Sequence, residues 1–137
     1  MLDSEKNNQS KSPYKGTRGI KRLINATRYS MNGFCSAWQN EAAFRQELLL
    51  TIVLTPAAFL LTADPIERLL LIGSLLLILI VELLNSAIES IVDRVGIDHH
   101  ELSGRAKDMG SAAVFLTLLL ATITWASVSY THLTLPT

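Results

Sequence analysis

The sequence predicts an all-α membrane protein, with an amino-terminal amphipathic surface helix followed by three transmembrane helices. Three observations predict it. Charge-free apolar runs occupy Leu48–Ala63, Leu69–Val81 and Met109–Tyr130. Ahead of them, residues 16–40 keep their apolar positions at helical spacing. The 12 basic and 12 acidic residues balance overall but not locally: eight Lys/Arg lie in positions 1–45, against only Asp3, Glu5 and Glu41. A basic amino-terminal excess is what a cytoplasmic flank carries under the positive-inside rule. A nucleic-acid arm would need interleaved aromatics or a domain motif, and neither is present.

The composition narrows the class further. Cys35 is the only cysteine, so no internal disulfide or cysteine metal cluster can form. The first twenty residues lack the apolar core of a secretory signal peptide. No repeat of 20–50 residues is visible. A length of 137 residues suits one domain.

Residues 1–15, "MLDSEKNNQSKSPYK", are polar and read as a disordered leader. Residues 16–130 form the membrane domain, and 131–137 a tail of unknown role. The surface helix, about 16–40, gathers Ile20, Leu23, Ile24, Thr27, Met31, Phe34, Cys35 and Trp38 on one stripe. Lys21, Arg22, Arg28 and Asn32 fall elsewhere, and basic and aromatic residues on separate faces suit a bilayer interface.

The three spans are expected at about 42–63, 66–95 and 108–130. A span needs roughly 20 residues. The third run qualifies alone; the first two must borrow flanking residues such as Ala42–Phe44 and Glu82–Ile91. Pro56 should kink or weaken the first span. "TADPIER" allows only a tight antiparallel turn, while "RVGIDHHELSGRAKD" is a longer polar connection carrying Arg94, Arg105 and Lys107. With the amino terminus cytoplasmic, "ADP" faces outward and the polar loop returns to the cytoplasm, where nucleotide is available.

The second span carries the chemistry. At about 100° per residue, Glu89 and Asp93 fall within about 20° of Glu82, with Asn85 about 60° and Ser86 about 40° to either side. Two readings of this face compete. The helix could leave the membrane near Val81, its carboxylates forming a solvated face. Alternatively the carboxylates lie at membrane depth, where each charge costs about 3 kcal/mol unless partnered. The second is favoured because Leu69–Val81 is too short to span alone. Glu41 and Glu47 also flank the first span at the matching depth. Glu82, nearest the hydrocarbon, suits a general base, and Glu89, nearer the cytosol, suits a hard cation.

Across the cleft, "ELSGRAKDMGSAA" (101–113) has Gly104 and Gly110 for close backbone approach. Lys107 and Asp108 stand where the third span should begin, and a lysine beside free helix-start amides is a candidate phosphate site. There is no GxxxxGK[ST] loop and no protein-kinase motif set. His99 and His100 lack a third His or Cys for a transition metal. A base for a hydroxyl, a divalent cation and a lysine are the parts phosphoryl transfer needs.

At "NEAAFRQE" (40–47), "VELLNSAIESIVDRVG" (81–96) and "HELSGRAKDMGSAAV" (100–114), the chain closely resembles the integral-membrane diacylglycerol kinases of Gram-negative bacteria. The match runs from about Thr17 to Trp125. The resemblance implies a homotrimer of three-span protomers in the bacterial inner membrane. It implies phosphorylation of diacylglycerol by MgATP to phosphatidic acid, in active sites shared between protomers at the membrane–cytosol boundary. It makes Glu82 the general base and Asn85 its support, with Mg2+ held by Glu41 and Glu89 beside the nucleotide. Lys107, Asp108, Arg22 and Tyr29 would contact ATP, as would the Asp98-His99-His100 loop. Ser30, Glu47, Glu82, Ser111 and Trp125 would meet the lipid.

Three features depart from the family pattern: a longer leader, Pro56, and the polar finish "ASVSYTHLTLPT". A related branch of the family phosphorylates undecaprenol, but "HELSGRAKDMGSAAV" is closer to the diacylglycerol branch. Small residues such as Gly73, Ser86, Ala87 and Ala112 also permit the close helix packing a trimer needs. A different class, a non-catalytic or ion-conducting oligomer ringed by carboxylates, leaves Lys107 and the basic surface helix without a role.

Overall fold

The computed structural model describes residues 18–96 and 100–134. The leader, Asp98, His99 and the last three residues of the tail lie outside the described residues. Among these residues there are four helices and no strand: α1 (Ile20–Asn40), α2 (Ala42–Leu61), α3 (Pro65–Val95) and α4 (Glu101–Thr134). The chain divides into two units, one ending at Cys35 and one beginning at Ser36.

The first unit contributes most of α1. Gly19 precedes the helix at a φ of 67°, a left-handed conformation that glycine adopts without a Cβ clash. Ile20, Leu23, Ile24, Met31 and Phe34 are all exposed on it. Exposed apolar side chains at helical spacing, as on these residues, suit burial in another apolar phase such as a bilayer interface.

In the second unit, Glu41 takes an extended conformation and separates the last turn of α1 from α2. Arg45 reaches back from α2 and donates to the carbonyls of Trp38 at 2.7 Å and Gln39 at 3.4 Å. These are end-of-helix carbonyls with no intrahelical partner, so a cation there satisfies them and complements the helix dipole. α2 runs unbroken through Pro56, which can supply no N–H. Thr51 and Thr55 donate their hydroxyls to carbonyls four residues back, which keeps polar groups satisfied within the helix.

The α2–α3 turn is held by side chains. Asp64 caps α3 through Ile66 N at 2.9 Å, and Pro65 follows at the first helical position. Arg68 returns to the end of α2, donating to Thr62 O at 2.7 Å and Phe59 O at 3.2 Å, with its guanidinium 4.6 Å from the Phe59 ring centroid. Thr62 donates to Glu67 at 2.6 Å, and His132, near the far end of α4, meets the same carboxylate at 2.5 Å. One cluster therefore ties together the ends of three helices.

α3 is the central element, packed against both α2 and α4. Its buried residues Leu71, Ser74, Leu75, Ile78, Glu82, Asn85 and Ser86 fall at helical spacing on one stripe. At the Pro65 end, Ala58, Leu71 and Val128 form a small core flanked by Leu61, Ile72 and Trp125, whose indole N–H donates to Leu71 O at 3.2 Å. Of the apolar windows of α2, α3 and α4, 11%, 44% and 17% are buried within the chain. The outer helices thus present apolar side chains outward, and all three are long and apolar enough to cross a membrane.

The carboxy-terminal helix begins earlier than its charge pattern suggests. α4 starts at Glu101, six residues before Lys107. His100 Nδ1 accepts from Leu102 N at 3.1 Å, an acidic residue occupies the first turn, and Arg105 pairs with Glu101 one turn on at 2.9 Å. These local interactions stabilise a helical turn in a stretch too polar to read as a span. The amides of Lys107 and Asp108 therefore belong to the helix interior, and no helix-start phosphate cradle exists at those residues.

Candidate active site

α3 is 31 residues long, about 46 Å at 1.5 Å per residue. Counting from Pro65, Glu82 lies about 26 Å along the helix and Glu89 about 36 Å. One continuous helix thus carries both its apolar run and the carboxylate face.

Glu82 is 5% exposed and Asn85 8%. Glu47 of α2 is within hydrogen-bonding reach of Glu82, and the charges of Glu41 and Glu89 also act on it. Asn85 donates to Glu89 Oε1 at 3.4 Å. Three other glutamates, Glu41 at the start of α2, Glu47 on α2 and Glu89 on α3, therefore act on one buried carboxyl group. Among the described residues, three buried polar atoms have no hydrogen-bond partner: Glu47 Oε2, Asn85 Oδ1 and Ser86 Oγ. Unpaired buried groups are costly, about 1–3 kcal/mol each. Two of the three, Asn85 and Ser86, lie within about one turn of Glu82 on α3.

The α4 wall is set by Gly110. A Cβ at that position would overlap Asn85 Oδ1 and lie 3.3 Å from Asn85 Cγ. An alanine there would have to displace the Asn85 amide or push α4 away from α3. Gly104 differs, with nothing within 4 Å of its Cβ position. One turn before Gly110, Lys107 Nζ pairs with Asp93 Oδ1 at 2.6 Å, within electrostatic range of Glu89. Asp108 and Ser111 are exposed on α4.

The remaining expected residues are placed on their own elements. Arg22, Tyr29 and Ser30 are exposed on α1 in the first unit. His100 caps α4. Trp125 sits at the level of Leu71, about 16 Å along α3 from Glu82. It lines an open groove of about 410 Å³ with Leu54, Leu75, Ile78 and Ala121.

Three features escape sequence reasoning: the Asp93–Lys107 pair, the fit of Gly110 to Asn85, and the Thr62–Glu67–His132 cluster. Each joins residues on different helices whose alignment depends on how far one helix slides along its neighbour. Periodicity gives the face of a helix but not that register.

Among the described residues, no three His, Cys, Asp or Glu side chains are arranged to enclose a metal ion unaided. Hard divalent cations are commonly bound by one or two carboxylates together with substrate phosphates, and Glu41 and Glu89, which both act on Glu82, are carboxylates of that chemistry.

The fold thus defines an α-helical protein with three helices long and apolar enough to cross a membrane, carrying interacting carboxylates at the start of α2 and on α3. Residues 28–129 match the family described as prokaryotic diacylglycerol kinase. A diacylglycerol kinase of Pseudomonas aeruginosa is 58% identical over 119 residues, covering 87% of this chain and 97% of the relative. Those of Escherichia coli K12 and Haemophilus influenzae are 53% and 50% identical, covering 85% and 83% of this chain and 95% and 97% of their own. The chain belongs to the prokaryotic diacylglycerol kinase family, a family of lipid kinases.

Proposed function

We propose that this chain transfers the γ-phosphoryl group of ATP to the free hydroxyl of diacylglycerol, yielding phosphatidic acid at the cytoplasmic face of the inner membrane. The carrying observation is Glu82: a buried carboxyl at the edge of the apolar layer, surrounded by Glu41, Glu47 and Glu89. A lipid alcohol stays at the interface, so its base must be at that depth. The hydroxyl oxygen attacks the γ-phosphorus and its proton passes to the Glu82 carboxylate. The new O–P bond forms as the bridging P–O bond breaks, and ADP leaves.

Asn85 orients the site through its contact with Glu89. Lys107 brings positive charge to the phosphates, and Asp108 lies beside it for further nucleotide contact. Glu41 and Glu89 would hold Mg2+, which would supply positive charge against the phosphoryl group being transferred. Glu47 and Ser111 lie on the lipid side, and the Trp125 groove offers apolar surface to an acyl chain. The amino terminus is cytoplasmic, in keeping with its basic excess.

The unpaired polar atoms and the largely exposed outer helices also support assembly as a homotrimer, in which neighbouring chains complete each cleft. Relatives named diacylglycerol kinase favour diacylglycerol over undecaprenol as acceptor. Labelled ATP supplied with each lipid in mixed micelles tests this. Label is expected in phosphatidic acid. Label only in undecaprenyl phosphate would reassign the acceptor, and none in either lipid would overturn the proposal.

A further inference from the structure

We propose that Asp93 is a positioning residue that holds the Lys107 ammonium away from Glu89 and so keeps Glu89 available to a divalent cation. The proposal rests on the assignment of Glu89 as a cation ligand. Glu89 and Asp93 stand one turn apart on the same face of α3, facing the same length of α4. Lys107 reaches across from α4, and its flexible stem could serve either carboxylate. It pairs with Asp93 at 2.6 Å while Glu89 acts on it only through space. Glu89 instead accepts from Asn85 at 3.4 Å, a weak contact that leaves most of its lone pairs free.

Arg105 is engaged with Glu101. Among the described residues, the carboxylate besides Asp93 that acts on Lys107 is Glu89, so without Asp93 it is the partner left to the lysine. A lysine paired there would compete with the cation for the same oxygens. The side chains of Lys107 and Asp93 are 45% and 65% exposed, so the pair is worth no more than an ordinary surface ion pair and a removable Asp93 should not threaten folding.

The test is Mn2+ titration of the purified protein in micelles without nucleotide, followed by electron paramagnetic resonance, with thermal melts as a folding control. Asp93→Asn should weaken Mn2+ binding by about threefold, the scale of an exposed ion pair, and Asp93→Glu should restore it. In a Lys107→Met background, Asp93→Asn should have no further effect, because nothing remains to occupy Glu89. Unchanged Mn2+ binding in Asp93→Asn overturns the proposal. So does equal weakening with and without Lys107, since Asp93 would then act only as a distant negative charge. A Glu89→Gln control separates the two levels: Mn2+ binding that is absent, or indifferent to Glu89, overturns the cation assignment itself and the Asp93 proposal with it.

Discussion

Gly110→Ala adds one methyl group where α4 faces Asn85. The new Cβ would overlap Asn85 Oδ1 and stand 3.3 Å from Cγ and 3.9 Å from Cβ of the same side chain. Two responses are open. The amide can rotate off its present rotamer at about 0.5–1.5 kcal/mol, or the helices can separate at the usual cost of overpacking, about 1–3 kcal/mol. Against either stands the gain from replacing a helical glycine, close to 1 kcal/mol. The net change in stability is therefore small, between about 0.5 kcal/mol gained and 2 kcal/mol lost. Activity should respond far more. Asn85 contacts Glu89 on one side and faces Gly110 on the other, so either response shifts the site by a fraction of an ångström or more. Displacements of about 1 Å can cost a hundredfold in rate. Phosphorylation of diacylglycerol in mixed micelles, with a thermal melt of the same sample, should show at least a tenfold fall in turnover with the fold intact. Gly104→Ala is the matched control: its Cβ meets nothing within 4 Å, so it should stabilise the helix slightly and leave turnover alone. Full activity in Gly110→Ala, or equal damage from Gly104→Ala, would refute the reasoning.

The cluster at the Pro65 end should behave in the opposite way. Glu67→Gln or His132→Ala should lower the melting temperature, because each removes the contact between the far end of α4 and the start of α3. The double variant should lose less than the sum because the two residues share one contact. Turnover at permissive temperature should be unchanged, since Glu67 lies about 22 Å along α3 from Glu82. Trp125→Phe keeps most of the apolar contact but removes the donor to Leu71 O, which still accepts from Ser74 at 2.7 Å. A melting loss equivalent to about 1 kcal/mol is expected.

The helical architecture was legible because each apolar run is long, and residues 81–95 continue the same periodicity into polar territory. The wheel correctly put Glu82, Asn85 and Glu89 on one face, since 3.6-residue spacing is set by backbone geometry alone. The start of α4 was misplaced because span recognition weighs hydropathy. The turn from Glu101 to Arg105 is polar yet helical, held by a capping histidine and an ion pair. Glu67 and His132 meet across 65 residues, and nothing in either local stretch announces the other.

The central claim is that a carboxyl group buried at the edge of the apolar layer takes the proton from a lipid alcohol. Glu82→Gln preserves shape and removes the basic oxygen. Phosphatidic acid formation by this variant, measured in micelles at saturating ATP and diacylglycerol, should fall by at least about a hundredfold while the melting transition and nucleotide binding persist. Turnover within a few fold of the unaltered protein would contradict the account.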